Sequence, residues 1–433
     1  MGHHGHHDKI VEPKPLEIPR NFQMGAGAVA AVGLIVFLVT AFAYDSVVAW
    51  KGFLIGFWFT LGLGLFGPFF ASIQHMPRAG WSVSLRRIVE AYGWYIPVAA
   101  VFAAIGIVGI PQDIFIWQHP DAITDPIFAK KAGFLNKSNF IIATVASFGA
   151  WFGLFYLQRT LSLKQDETTS GEEVYAITNK LKATSALYCI VFAIGVSFMS
   201  WFWLMSLEPN WFSTMFSVYC FAGMFQSGLA LTYVLMIYLG RKGYFGSFMG
   251  GRQVHDLGKM VFGFTVFYAY IGFCQFLLIW YANIPEEDVW YIVRLENGWL
   301  LFTLALPFIK FAVPFLIMLP QKIKKNKDNV MYYLCMWLIG TQLYEIWYWV
   351  EPQAHGLHMH ANHGGGAAAG FSFVNMVLEM LIAAGFAGVF ALVAARALAG
   401  RNLVPVHDPY LHETLPAFTH EEVLMGGAYD KTL

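Results

Sequence analysis

Charged residues are scarce in this chain, and those present carry no net charge. Of its 433 residues, 12% are charged and 57% are hydrophobic, whereas soluble domains carry about a quarter charged residues. The 27 basic and 27 acidic side chains cancel, so no global positive field exists to attract nucleic acid. The composition therefore excludes an ordinary water-soluble fold and disfavours nucleic acid as a partner.

Cysteine is also sparse, and its spacing excludes several redox centres. Cys189, Cys220, Cys274 and Cys335 all fall inside apolar segments, and none forms a CxxC or CxxCH motif. Those motifs ligate iron–sulfur clusters of ordinary spacing and attach c-type haem. We expect these thiols to be small buried side chains, and we expect no covalently bound cofactor on this chain.

The N-terminal segment lacks the apolar core of a cleavable signal peptide. Residues 1–23 instead contain His3, His4, His6 and His7 together with three prolines. We interpret this segment as a polar tail, although the histidine run has the composition of a metal-binding tract.

Long apolar runs dominate the rest of the sequence. Runs of 18 or more apolar residues are typical of membrane-spanning segments. They lack the two-residue alternation of barrel strands, so they must be helices, whose backbone groups bond internally. The sequence predicts an all-α, polytopic membrane domain over residues 24–398, with tails at 1–23 and 399–433. The ten predicted spans are residues 24–43, 50–74, 93–110, 139–161, 185–207, 211–239, 260–281, 299–319, 330–349 and 371–398.

The distribution of basic residues predicts the orientation of these spans. Cytoplasmic loops carry an excess of lysine and arginine, and 21 of the 27 basic residues lie in the two tails, in the even-numbered loops or at the span ends that adjoin them. Both termini are therefore predicted to be cytoplasmic. The short turn between spans five and six predicts a hairpin, and residues 50–207 and 211–349 are candidate four-helix bundles with two flanking helices.

Three ionisable residues are predicted at membrane depth, where such groups are costly and usually functional. They are Lys310, Glu345 and Glu379. One hypothesis is a proton half-channel that opens to the outer face through Glu345 and Glu351, with Glu379 or Lys310 as the inner station. The alternative is a static Lys310–Glu379 pair that only fixes helix packing.

Further polar side chains could extend such a path. Tyr344, Tyr348 and Glu351 recur at helical spacing on one face of span nine, which predicts a ladder to the outer surface. Gln226 and Gln275 are expected near mid-depth on spans six and seven. Additional hydroxyl groups are contributed by Thr265, Tyr268 and Tyr270.

A histidine at the inner end of span two is a candidate quinone contact. His75 can donate a hydrogen bond and titrates near neutral pH, and Arg86, Arg87 and Glu90 follow in a predicted cytoplasmic loop. The alternative is a histidine that merely satisfies a helix terminus.

The loop after span nine contains four histidines in the pattern HxxHxHxxH. These are His355, His358, His360 and His363, and imidazole ligands suit zinc or copper. No acid or cysteine completes an obvious ligand set, and a glycine–alanine run follows. We therefore favour a flexible loop with adventitious metal binding over a built metal site.

Three sequence segments carry a family resemblance. Residues 205–216 read MSLEPNWFSTMF, residues 309–315 read IKFAVPF, and residues 403–409 read LVPVHDP. Together with the ten-span layout, they resemble the NrfD-like membrane subunits of alternative complex III, a bacterial quinol oxidoreductase unrelated to cytochrome bc complexes. The resemblance covers essentially the whole membrane region and excludes the histidine-rich N-terminus and outer loop.

The resemblance implies a subunit of a larger complex in the bacterial cytoplasmic membrane. Relatives similar to the polysulfide reductase membrane anchor pack two four-helix bundles beside a sister NrfD-like subunit. The implied partners are that sister subunit, an iron–sulfur protein, multihaem and monohaem cytochrome c subunits and a terminal oxidase. Haem c and iron–sulfur clusters would then belong to those partners, and quinol would be the substrate of the complex.

Two other functions remain open from the sequence. A stand-alone secondary transporter would also combine ten helices, kinked spans and charges at mid-membrane depth. A passive structural anchor would need none of its buried polar groups for electron flow. The chain itself is then either non-catalytic or a subunit that handles quinone or protons.

Overall fold

The chain folds into an all-α protein, as predicted. A computed structural model describes residues 11–124, 126–296, 298–325, 329–353 and 370–415. The fold is 81% helical, and no β-strand occurs among the residues described, which confirms the predicted fold class. The histidines at positions 3 to 7 and the four histidines at positions 355 to 363 lie outside these residues.

Among the residues described, ten long helices carry the predicted spans in chain order. They are α1 (Arg20–Val39), α2 (Ser46–His75), α3 (Gly80–Gly109), α4 (Lys137–Glu167), α5 (Gly171–Trp203), α6 (Met215–Arg241), α7 (Gly251–Ala282), α8 (Leu300–Met318), α9 (Asn329–Val350) and α10 (Phe373–Leu398). Within the described ranges, all of these except α9 are long and apolar enough to cross a membrane. Helix α9 is lower in hydropathy because it carries the polar side chains of the site described below.

The outer surface of the helices is apolar, as contact with lipid requires. Phe42 lies on the π-helical turn that extends α1, Val108 on α3 and Leu301 on α8, and their exposed fractions are 86%, 88% and 73%. Large apolar side chains so exposed would be costly in water. The protein is therefore a polytopic membrane protein.

Helix α2 occupies the centre of the fold. It is buried along almost its whole length, and it packs against α3, α5, α6, α9 and α10. Helix α4 packs on α5, α7 packs on α6, and α1 lies outside against α10. The two candidate bundles stay a prediction, since α2 contacts helices of both.

One end of the helix assembly holds the chain termini, and we call it the tail face. The backbone N–H of Leu16 donates to the carbonyl of Arg401 over 3.0 Å. Gln253, at the start of α7, donates from Nε2 to the carbonyl of Thr414 over 2.8 Å. Segments before α1, before α7 and after α10 thus meet on one surface, which is the side predicted to be cytoplasmic.

We call the opposite end the loop face. There Lys131 donates to the carbonyl of Asn210 over 2.8 Å, which ties the α3–α4 connection to the α5–α6 turn. Arg294 donates to the carbonyl of Trp349 over 2.9 Å and so caps the end of α9. Burial lowers the pKa of Arg294 to about 10, so this arginine stays cationic at neutral pH.

Helix α3 begins earlier than predicted. The sequence placed Arg86, Arg87 and Glu90 in a loop, but they lie in a helix, Arg86–Tyr92, that precedes the apolar part of α3. All three side chains are at least 94% buried. The prediction was wrong because charges that looked solvated find partners on other segments, as described below.

Two glycines set the approach of α1 to α10. A Cβ atom added at Gly33 would lie 2.9 Å from the backbone nitrogen of Gly385, so the two backbones touch. We expect Gly33→Ala to cost about 1–3 kcal/mol, because overpacking forces the helices apart. Thermal unfolding of the purified protein measures this cost. Gly27→Ala on the same helix is the control, since nothing lies within 4 Å of a Cβ there; equal effects of both changes would contradict the prediction.

Candidate functional site

A π-helical turn interrupts α8 where its lysine lies. Residues Phe308–Ala312 form this turn between Pro307 and Pro314. Proline lacks a backbone N–H and disrupts the regular ladder, and π-turns are frequent at functional sites. The side chain of Trp337 donates to the carbonyl of Ile309 over 2.7 Å. Lys310 follows that residue and is fully buried.

Lys310 binds two polar side chains of α9. Its ammonium forms an ion pair with Glu345 and donates to Gln342 Oε1 over 2.5 Å. The ammonium also lies 4.1 Å from the ring centroid of Tyr268 on α7, which adds a cation–π attraction. Three helices thus surround one buried positive charge.

Two tyrosine hydroxyls extend this arrangement towards α6. Tyr268 donates to Glu345 Oε1 over 2.5 Å. The hydroxyl of Tyr219 lies 3.2 Å from that of Tyr268, and it must donate because the proton of Tyr268 is already engaged. We name the five residues Tyr219, Tyr268, Lys310, Gln342 and Glu345 the central cluster.

The central cluster is neutral and internally satisfied. Glu345 accepts from Tyr268 on one oxygen and from Lys310 on the other, so its charge is both paired and hydrogen-bonded, as burial demands. Gly223 on α6 leaves room for it: a Cβ there would lie 2.5 Å from Gln342 Oε1 and 3.0 Å from Glu345 Oε2.

A second buried group of charges lies nearer the loop face. Lys51 on α2 forms a 2.6 Å ion pair with Glu351 and donates to its carbonyl over 3.1 Å. Glu379 on α10 accepts from Trp347 Nε1 over 2.9 Å. We name Lys51, Trp347, Glu351 and Glu379 the loop-face cluster. The static Lys310–Glu379 pair weighed from the sequence does not form, since each residue binds a different partner.

The two clusters are separated along α9. Glu345 belongs to the central cluster and Glu351 follows the last residue of α9. Six residues of helix span about 9 Å, which is beyond the reach of a hydrogen bond. A proton moving between the clusters would need an intervening water or side chain.

The predicted tyrosine ladder on α9 is not continuous. Tyr344 donates to the carbonyl of Phe302 over 2.9 Å, and the hydroxyl of Tyr348 lies 3.0 Å from that of Thr303. Both tyrosines therefore face α8, whereas Glu351 turns to α2. The helical spacing of these residues predicts one shared face of α9. Their side chains nevertheless contact different neighbouring helices.

The two glutamines are buried but lie outside the central cluster. Gln226 donates to Thr265 Oγ1 over 2.9 Å, and its own Oε1 has no hydrogen-bond partner. Gln275 is 2% exposed, and neither polar atom of its side-chain amide has a hydrogen-bond partner. Tyr270 is exposed, in contrast to Tyr268 on the same helix.

His75 lies in a small cleft at the tail face. Its Nδ1 is 3.1 Å from Ser185 Oγ, and its buried Nε2 has no partner. Arg86 and Asp408 form an ion pair in the same cleft. The lining residues are His75, Arg78, Arg86, Thr178, Leu181, Asp408 and Tyr410. The free nitrogen keeps His75 a candidate for contact with a quinone carbonyl.

An ion network beside that cleft explains the buried charges of α3. Glu90 forms ion pairs with Arg87, over 3.0 Å, and with Arg159 of α4. Ser162 donates to Glu90 over 2.7 Å, and Arg87 also pairs with Asp166. We name these five residues the tail-face network.

Sequence reasoning missed several residues that the structure places in these clusters. Lys51 looked like a loop residue at the start of a span, and Gln342 and Tyr219 looked like ordinary polar residues of apolar helices. One sequence feature could have indicated the role of Lys51: it is predicted at the same membrane face as Glu351, so the two could form an ion pair. Nothing in the sequence marked Gln342 or Tyr219, because only helix packing turns them towards Lys310.

The arrangement suits proton handling better than metal binding. In the described part of the chain, no three histidine, cysteine, aspartate or glutamate side chains gather as metal ligands would. The central and loop-face clusters instead combine ammonium, carboxyl and hydroxyl groups, which can bind and release protons within a membrane.

No protein-family model matches the chain, and no curated protein matches it either.

Proposed function

We propose that this chain is a proton-handling membrane subunit of a quinol-oxidising respiratory complex. The observation that carries the proposal is the central cluster, in which Lys310 and Glu345 are fully buried among helices, Tyr268 donates to Glu345, and the hydroxyl of Tyr219 lies beside that of Tyr268. Charged groups at such depth are expensive, and they commonly mark ion or proton pathways.

Energetics support a functional origin for this cluster. A buried ion pair adds little stability and is often equalled or exceeded by apolar side chains of similar volume. Lys310 and Glu345 would therefore stabilise the packing of α8 on α9 no better than apolar side chains. A proton relay, by contrast, requires groups that exchange protons, together with hydroxyls that pass them on.

The place of the chain in a complex is proposed from the sequence resemblance. Quinol oxidation would use haem c and iron–sulfur clusters on partner subunits, beside a sister NrfD-like subunit. The charge bias of the loops supports an orientation with both tails in the cytoplasm, and the resemblance implies the bacterial cytoplasmic membrane. Protons would then leave or enter at the loop face through Glu379 and Glu351.

Purification through this chain tests the proposed complex. We expect haem, iron and quinol:cytochrome c activity to copurify after gentle detergent extraction. A colourless single chain, obtained under conditions that preserve membrane complexes and active in liposomes alone, would instead identify a transporter.

Removal of one hydroxyl tests the proton path. Tyr268→Phe deletes the donor to Glu345 without changing shape or charge, so we expect quinol oxidation to persist while proton translocation slows about tenfold or more. Proton release per electron is measured with the complex in liposomes.

Tyr270→Phe provides the matched control for that experiment. Tyr270 lies two residues away on α7 and its side chain is exposed, so its hydroxyl should be dispensable. Equal proton-to-electron ratios in both variants and in the unmodified complex would contradict a path through Tyr268.

A further inference from the structure

We infer that Lys51 is a shared counter-ion for Glu351 and Glu379, which hold one proton between them and exchange it as the lysine changes partner. This inference rests on the proposed function. It adds a gate at the loop face, by which we mean a site that controls the transfer of a proton between Glu351 and Glu379. It assigns Lys51 a positioning role: the ammonium decides which of the two carboxyls is charged.

The three side chains meet where α2, α9 and α10 converge. Lys51 bonds Glu351 twice, through its carboxylate and its backbone carbonyl. Helix α10 is held against this point, because a Cβ added at Gly52 would lie 2.9 Å from the Cα of Glu379. The carboxyl of Glu379 interacts with both Lys51 and Glu351. The ammonium of Lys51 is thus paired with one carboxyl, and the helix that carries the second carboxyl packs against the residue next to Lys51.

Charge balance requires a proton in this cluster. Lys51, Glu351 and Glu379 are 4%, 7% and 0% exposed, and two carboxylates with one ammonium would leave a net negative charge in a poorly solvated site. Adjacent carboxyls avoid this cost by sharing a proton. One ammonium, one carboxylate and one carboxylic acid are together neutral.

The hydrogen bonds indicate which carboxyl holds the proton in this conformation. Lys51 pairs with Glu351, so Glu351 is the charged partner. Glu379 accepts from Trp347 on Oε2, while its buried Oε1 has no donor. A proton on Glu379 directed towards the neighbouring carboxylate of Glu351 satisfies both groups.

The exchange step conserves charge and atoms. The O–H bond of Glu379 breaks as an O–H bond to Glu351 forms, and the ammonium of Lys51, itself unchanged, moves from Glu351 to Glu379. The cluster is neutral before and after, so no bare charge is created in the membrane. Because Glu351 lies at the end of α9 and Glu379 within α10, the step moves a proton between the loop face and the interior.

The central cluster has no second carboxyl that could hold a proton, and in this respect its chemistry differs from that of the loop-face cluster. There one lysine faces one carboxylate, and both carboxylate oxygens already accept hydrogen bonds. The second carboxyl of the loop-face cluster is the feature that allows a proton to be stored while the lysine remains charged.

Infrared spectroscopy of the full-length chain tests the inference directly. Protein labelled with ¹³C at the glutamate side-chain carboxyl shows the carbonyl stretch of each protonated glutamate, and variants are compared by difference spectra. We expect Glu379→Gln to remove one such band. We expect Glu351→Gln to remove the same band, because Lys51 then pairs with Glu379 and ionises it.

Lysine variants complete the test. Lys51→Met should leave both carboxyls protonated and raise the band to about twice its area, whereas Lys51→Arg keeps the charge and should leave the area unchanged. A band that survives in Glu351→Gln would overturn the inference, since the proton would then be fixed on Glu379 by burial alone. So would a band that Lys51→Met does not enlarge.

These outcomes are independent of the proposed function. The spectra report the resting protein and need neither quinol nor partner subunits. Loss of the shared-proton signature would overturn the gate while proton translocation by the complex could persist. An intact signature in a complex that oxidises quinol without moving protons would overturn the proposed function alone.

Discussion

Lys310→Met is expected to destabilise the protein by about 3–5 kcal/mol, because removal of one member of a buried ion pair leaves the other without compensation. Glu345 would keep the hydrogen bond from Tyr268 but lose its ammonium partner. Unfolding in a denaturing detergent, monitored by tryptophan fluorescence, measures the loss. Proton translocation in the complex should fail in this variant.

A double variant separates the functional from the structural role of this pair. Lys310→Met with Glu345→Leu replaces both charges by apolar groups, so most of the lost stability should return. Proton translocation should stay absent because the central cluster then lacks both its ammonium and its carboxylate. A double variant that is stable and fully coupled would show that the pair only packs helices, as in a passive anchor.

A surface ion pair provides the control for these measurements. Lys259 and Asp256 form a 2.7 Å pair on α7, but the lysine side chain is 55% exposed. Exposed pairs contribute about 0–1 kcal/mol. Lys259→Met should therefore leave stability and proton coupling nearly unchanged.

Glu90→Gln is expected to cost about 3–5 kcal/mol through the tail-face network. The amide keeps the shape of the side chain but removes the charge that Arg87 and Arg159 share. Arg159 would then lie 97% buried without a carboxylate partner. Thermal unfolding of the purified chain provides the measurement.

Glu173→Gln is the matched control for the tail-face network. Glu173 pairs with Lys164 over 3.1 Å, yet its side chain is 50% exposed. Water screens this pair, so its loss should cost no more than about 1 kcal/mol. Similar losses in both variants would mean that the charge of Glu90 contributes little to stability.

The number and position of the helices could be predicted from the sequence. A segment that crosses hydrocarbon must satisfy its own backbone groups, so an apolar run of sufficient length is a helix almost wherever it occurs. The predicted span 330–349 corresponds to Asn329–Val350, and span 371–398 corresponds to Phe373–Leu398. This holds even for α9, whose polar residues weaken the signal.

The start of α3 could not be predicted, because it depends on residues distant in sequence. Arg86 is neutralised by Asp408 and Arg87 by Asp166. Only the folded chain brings those carboxylates to α3. Without knowledge of such partners, a cluster of charges is properly read as a solvated loop.

The sequence by itself determined that this is a polytopic helical membrane protein, and it singled out Lys310, Glu345 and Glu379, because charges are rare and costly at membrane depth. Only the tertiary structure decided their partners. Lys310 meets Glu345, Lys51 meets Glu351, and Glu379 meets Trp347, through the rotation and approach of helices distant along the chain. Hydropathy depends only on the residue types within a span. An ion pair depends on the direction in which each side chain points, and helix packing determines that direction.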